Sequence, residues 1–308
     1  MKVQLKKDIK KAAENQNVYV WRYFKMSAKK SNGMNQSQKL MVFVLTMSLY
    51  GLATLITELI PKFQVGIVEF SVEYFLFIPL SLAMLFDPLS AALGASTGEL
   101  VFSEIMLGQF GGLGELEKFL TVAIGVYIAG CLVKDPKNRT QVGAAAILGV
   151  ILQLFMGMTV DIVKVQTAVA EFEAVPGLPE SVFFTEGFAF LNDVLFSGIF
   201  FCMLPTMYLV PRLYGKIEPL LGIKPRQAQD QISGKPVLSV KAAVLSLIGF
   251  GAAVGAEYLA ESGMQIIDWE ASWAESSGAL AVGIIVAAAA AAIVIFWMKR
   301  NAQLRNAG

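Results

Sequence analysis

Eight apolar runs, each close to the ~20 residues that carry a helix across a hydrocarbon core, limit what this chain can fold into. They fall at about 40–60, 66–86, 88–108, 117–133, 140–163, 184–210, 240–260 and 279–298. A backbone that crosses lipid must satisfy its polar groups internally, so runs of this length predict an all-α, polytopic membrane protein of about eight spans. Hydrophobic residues make up 56% of the chain and charged ones 16%, with a mean hydropathy of +0.60, all unusual for a soluble globule. The net charge of +1 points to neither a nucleic-acid binder nor an acidic tail.

The basic residues set an expected orientation. Residues 1–39 hold ten Lys/Arg, 134–139 three, 211–241 six and 299–308 three, together 22 of the chain's 25. Eight spans with both termini cytoplasmic would put all of these inside, leaving Lys62, Lys118 and Lys164 outside. The expected organisation is then a basic N-terminal segment (1–39), a six-helix membrane core (40–215), a cytoplasmic linker (216–239), a further helix pair (240–298) and a basic tail (299–308). The N-terminal segment has no apolar run close behind Met1 and reads as a solvated tail or a lipid-surface helix, not a signal peptide.

At the centre lies Phe86-Asp-Pro-Leu-Ser-Ala-Ala-Leu-Gly-Ala-Ser-Thr-Gly-Glu99. Pro88 suits the first turn of a helix, where its missing N–H costs nothing. Gly94 and Gly98 are four apart, a smooth stripe that a second helix can approach closely. Glu99 is a carboxylate in an apolar segment and therefore a functional candidate.

Other acids lie inside the runs. Glu69 and Glu73 are one turn apart if the second run is helical, and Glu186 and Asp193 are seven apart on roughly one face. With Glu104 and Asp161 they gather in the outer half of the predicted fold, with Glu99 deeper. No span interior offers a matching arginine or lysine, so these acids call for protons or a cationic ligand. Asn192 and Gln153 can add hydrogen bonds, either to a ligand or between helices. Trp269 and Trp273 read as an interfacial belt.

Several chemistries drop out by inventory. The chain has no histidine, which removes histidine-based serine hydrolysis and the commonest zinc sites. It carries no GxxxxGK[ST], and Gly108-Gln-Phe-Gly-Gly-Leu-Gly114 reads as a turn. Cys131 and Cys202 both sit in apolar runs, where a disulfide framework is not expected. Neither a cofactor nor a resident metal is called for.

Residues 40–215 resemble the substrate-specific S component of an energy-coupling factor (ECF) transporter. Leu45-Thr-Met-Ser-Leu-Tyr-Gly-Leu-Ala53 resembles the small-residue first helix of that family, Asp87-Pro88 through Gly98-Glu99 its proline-glycine helix, and Asn192-Asp-Val-Leu-Phe-Ser-Gly198 with Leu204-Pro205 its last core helix. The departures are an aspartate in place of the usual glycine before Pro88, an imperfect small-residue pair in the first helix, and no N-terminal histidine of the cobalt and nickel branch.

The resemblance implies a non-catalytic subunit that captures a small solute from outside. A coupling membrane subunit and two ATPase subunits would then release it inward at the plasma membrane of a prokaryote. The implied docking residues are Ser48, Gly51 and Ala53. The implied binding group is Glu69, Glu73, Glu99, Glu104, Asp161, Asn192 and Asp193, whose sign favours a cationic, vitamin-like substrate or a hard cation held through oxygen. Two other readings remain open: an ion-coupled secondary transporter using Glu99 and Asp193, and a membrane scaffold that recruits partners through its basic segments.

Overall fold

The computed structural model describes residues 34–60, 63–65, 67–70, 75–167, 177–225 and 240–262, together with Ala170, Phe172, Val175 and Ile285. Among these, the chain is helical apart from one small hairpin. In order the elements are α1 (Gln36–Glu58), β1 (Phe63–Val65), β2 (Val68–Phe70), α2 (Phe77–Leu85), α3 (Pro88–Glu99), α4 (Glu115–Leu132), α5 (Arg139–Gln166), α6 (Val182–Asp193), α7 (Leu204–Leu213) and α8 (Val240–Glu261). A π-helical stretch, Leu100–Ile105, extends α3, and another, Val194–Met203, joins α6 to α7.

Four helical rods are long and apolar enough to cross a membrane: Gln36–Glu58, Arg139–Gln166, Val182–Leu213 and Val240–Glu261. The second apolar run departs from expectation. It is no single helix, because Phe63–Val65 pairs antiparallel with Val68–Phe70, with Gln64 in register with Glu69. α2 has nine residues, about 14 Å at ~1.5 Å per residue, half of a hydrocarbon core. Its apolarity serves burial: Leu80, Leu82, Ala83, Met84 and Leu85 are all in the core. The eighth run, 279–298, lies outside the described residues except for Ile285.

Local sequence accounts for where the helices begin. Asn35 and Gln38 cap α1 reciprocally, with Gln38 N donating to Asn35 Oδ1 at 2.8 Å and Asn35 N to Gln38 Oε1 at 3.0 Å. Asp87 caps α3 by accepting from Ser90 N at 3.0 Å and Ser90 Oγ at 2.7 Å, and Pro88 takes the first helical position. The aspartate that stands before Pro88 therefore has a structural role. Asn138 caps α5 through Gln141 N.

Tertiary packing follows the glycines. Gly94 and Gly98 lie against the α1 backbone at Phe43 and Met47, with no room for a side chain. The close approach predicted from their spacing is thus met within the chain. α4 and α5 cross at Gly125 and Gly149, where a Cβ on either would sit 2.7–2.8 Å from the other's carbonyl oxygen. α8 packs along α4 and also touches α5.

The two ends of the bundle differ. At one end the start of α1 meets the start of α3, with Lys39 Nζ 3.7 Å from Asp87 Oδ1. Gln38 Nε2 donates to Gly222 O at 2.7 Å, and Lys137 Nζ lies 5.3 Å from the Tyr214 ring centroid. The described parts of three of the four basic segments therefore share this end. The opposite end opens into a cavity.

Candidate functional site: an acid-lined cavity

The cavity has a volume of about 580 Å³ and is enclosed by the ends of α1, α3, α4, α5, α6 and α8. Ten carboxylates line it (Glu58, Glu99, Glu104, Glu115, Glu117, Asp161, Glu186, Asp193, Glu257 and Glu261) against two lysines, Lys118 and Lys164. The first π-helical stretch lines it through Ser103 and Glu104, and the second begins just beyond Asp193. Glu99 ends α3 where the wide turn begins, Glu104 sits within that turn, and Asp193 ends α6 where the second begins. The wide turns shift the helical register where these acids face the cavity, a placement that π-bulges often show.

No span interior was expected to supply a cation to match the acids, yet Lys118 and Lys164, both expected on the outer side, reach them. Lys118 Nζ lies 3.0 Å from Glu104 Oε1 and 3.5 Å from Glu115 Oε2. Lys164 Nζ lies 2.9 Å from Asp161 Oδ1 and 3.0 Å from Glu257 Oε1. Placement at the helix ends on the cavity side lets each long side chain reach acids from neighbouring elements. The second pair ties α8 to α5. Gly114 makes room for that contact, since a Cβ there would lie 2.7 Å from Glu257 Oε2.

Polar atoms on the inner wall have no such partners. Glu99 Oε2, Ser103 Oγ and Gln153 Oε1 are buried without a hydrogen bond among the described residues. Ser103 is 2% exposed and Gln153 7%. The buried threonines of α1 behave differently, with Thr46, Thr54 and Thr57 donating to backbone carbonyls of their own helix at 2.8–2.9 Å. Beyond Gln153 the cavity closes onto an apolar crevice lined by Leu76, Leu80, Val126, Gly149 and Val150, too narrow for water. The described part of the site is therefore a blind cavity.

Of the expected binding residues, Glu99, Glu104, Asp161 and Asp193 line this cavity. Asn192 is buried beside Asp193 but is not part of the lining. Glu69 lies on β2, so the helical face it was expected to share with Glu73 does not exist; Glu73, Trp269 and Trp273 lie outside the described residues. Of the expected docking residues, Gly51 and Ala53 are buried inside the chain, Gly51 against Phe102 and Gly98. Ser48 is only half-buried and follows Leu40 and Val44 along the exposed side of α1.

Sequence reasoning missed Glu58, Ser103, Glu115, Glu117, Lys118, Lys164 and Glu257 as lining residues. Glu257 had a readable signal, being a carboxylate inside the apolar run 240–260. The two lysines had none, because a lysine at a helix end usually faces solvent. The turn at 108–114 is one by geometry: Gly108 and Gly112 take positive φ, and Gly111 N donates to Glu115 Oε1 at 3.1 Å. Cys131 and Cys202 form no disulfide.

Long apolar rods around a polar, acid-rich cavity define an α-helical membrane protein. The chain belongs to DUF8171, described as a family of unknown function, whose model matches residues 41–307. That match extends across α8 and the last apolar run, so both segments belong to the same family unit as the core. No curated protein and no solved structure matches the chain.

Proposed function

We propose that this protein is a membrane-embedded solute-binding subunit that captures a small cationic solute for uptake. The carrying observation is the blind cavity lined by ten carboxylates and two lysines. Closure onto a dry apolar crevice favours a binding protein that must change conformation to release its solute over an open channel. The Lys/Arg distribution supports a cavity facing outward, because three basic segments gather at the opposite end.

Release of the solute would depend on partner subunits of the ECF type, a coupling membrane protein with two ATPases. The chain has no nucleotide-binding loop of its own. Such a partner would approach the exposed side of α1 at Leu40, Val44 and Ser48.

The test is gentle purification from the native membrane, with mass spectrometry of retained small molecules and co-purifying proteins. A retained cationic solute that disappears from the Glu99→Gln protein, together with an ATPase pair, is the expected result. A cationic solute without ATPases would shift the reading to a secondary transporter. Soluble partners alone, with no solute, would overturn it in favour of a scaffold.

A further inference from the structure

We infer that the inner wall of the cavity is a subsite for a cation bearing several N–H donors, such as a primary ammonium, amidinium or guanidinium group, and that a quaternary ammonium or a bare metal ion fits it poorly. The inference rests on the cationic-solute reading and narrows it.

Three unpartnered atoms carry it. Glu99 Oε2 and Ser103 Oγ stand one turn apart on α3 and its π extension, while Gln153 Oε1 comes from α5. α4 passes between these two helices and adds Thr121 and Val122 to the lining. Thr121 is already satisfied, its Oγ1 directed at the carbonyls of Glu117 and Lys118 at 3.0 and 3.1 Å. What remains on the inner wall is a carboxylate oxygen, an amide oxygen with its own N–H groups beside it, and a hydroxyl that can donate or accept, so the one group that can only accept is the Glu99 carboxylate.

An acceptor buried without a donor is costly, and it persists where something else supplies the donor. A group with two or more N–H bonds can serve Glu99 and Ser103, one turn apart, at once, and its charge makes each hydrogen bond stronger. A quaternary ammonium has no N–H to give. A metal ion needs a tight set of ligands, and no group of three metal-binding side chains occurs among the described residues. The lysines do not fill the gap, because Lys118 and Lys164 are engaged with Glu104, Glu115, Asp161 and Glu257.

The experiment titrates the full chain in lipid nanodiscs with n-butylammonium, n-butylguanidinium and n-butyltrimethylammonium, read by saturation-transfer NMR. These probes share one tail and differ in N–H count. The N–H-bearing probes should bind about tenfold tighter than the trimethyl one. Ser103→Ala and Glu99→Gln should narrow that preference. Gln153→Met should weaken butylammonium binding while raising the melting temperature of the free protein, because it removes an unsatisfied buried amide.

Equal or tighter binding of the trimethyl probe overturns the subsite and leaves the cationic-solute reading intact. So does a preference that all three substitutions leave unchanged. Failure of every probe to bind overturns both.

Discussion

The seam between α1 and α3 and the cavity beside it share a helix yet follow opposite rules. On the seam, Gly94 and Gly98 bring two backbones together, and the buried threonine hydroxyls of α1 donate to carbonyls of their own helix. Just beyond it, Glu99 Oε2 and Ser103 Oγ are buried without a hydrogen bond among the described residues. The seam is closed by the chain's own backbone contacts. The cavity instead leaves buried polar atoms without a hydrogen bond among the described residues, the arrangement expected where a protein gives up stability to hold polar groups ready for a ligand.

Substitutions should separate the two. The largest effect is expected from Gly98→Leu, which drives a side chain into the Met47 backbone. Such overpacking in a seam with no slack should cost ~3 kcal/mol, seen as loss of the monodisperse peak in size-exclusion chromatography. A well-folded Gly98→Leu protein would show that the seam is looser than its geometry. Next is Glu99→Gln, which should lower affinity for the retained cation about tenfold without lowering the melting temperature. A loss of stability instead would place Glu99 with the seam.

Asp87→Ala removes the α3 cap and should destabilise by ~1 kcal/mol, measured by thermal melting, with binding unchanged. Lys164→Met tests the link between the core and α8, since it leaves Asp161 and Glu257 without their lysine. Asp161 is half-exposed, but Lys164 and Glu257 are largely buried, so the coupling should sit at the upper end of the surface-pair range, ~1 kcal/mol. The expected readout is faster hydrogen exchange in α8 and little change elsewhere. Lys39→Ala should be the smallest, under ~0.5 kcal/mol, because Lys39 is half-exposed and its contact with Asp87 is long.

Much of the fold was legible because membranes impose a simple code. Runs of about 20 apolar residues marked α1, α5, the α6–α7 rod and α8 to within a few residues. Pro88 and the Gly94–Gly98 spacing marked α3 and its close packing. The run at 66–86 was misread because hydrophobicity reports burial and not the path of the backbone. A short helix sealed inside the bundle and a helix facing lipid are equally apolar, and only the neighbours of α2 tell them apart.

The cavity was legible only in part, for a related reason. A carboxylate in an apolar run stands out, so Glu99, Glu104, Asp161 and Asp193 could be named in advance. Its partners could not. Lys118 and Lys164 look like ordinary helix-end lysines, and Gly51 looks like an open small-residue surface until Gly98 and Phe102 are seen to pack against it. The sequence by itself determined that the chain is a bundle of apolar helices carrying acids, since burial in lipid is a property of each segment. Tertiary structure alone decided which acids converge, which lysines join them and which polar atoms stay unpaired, because those follow from distances between segments far apart in the chain.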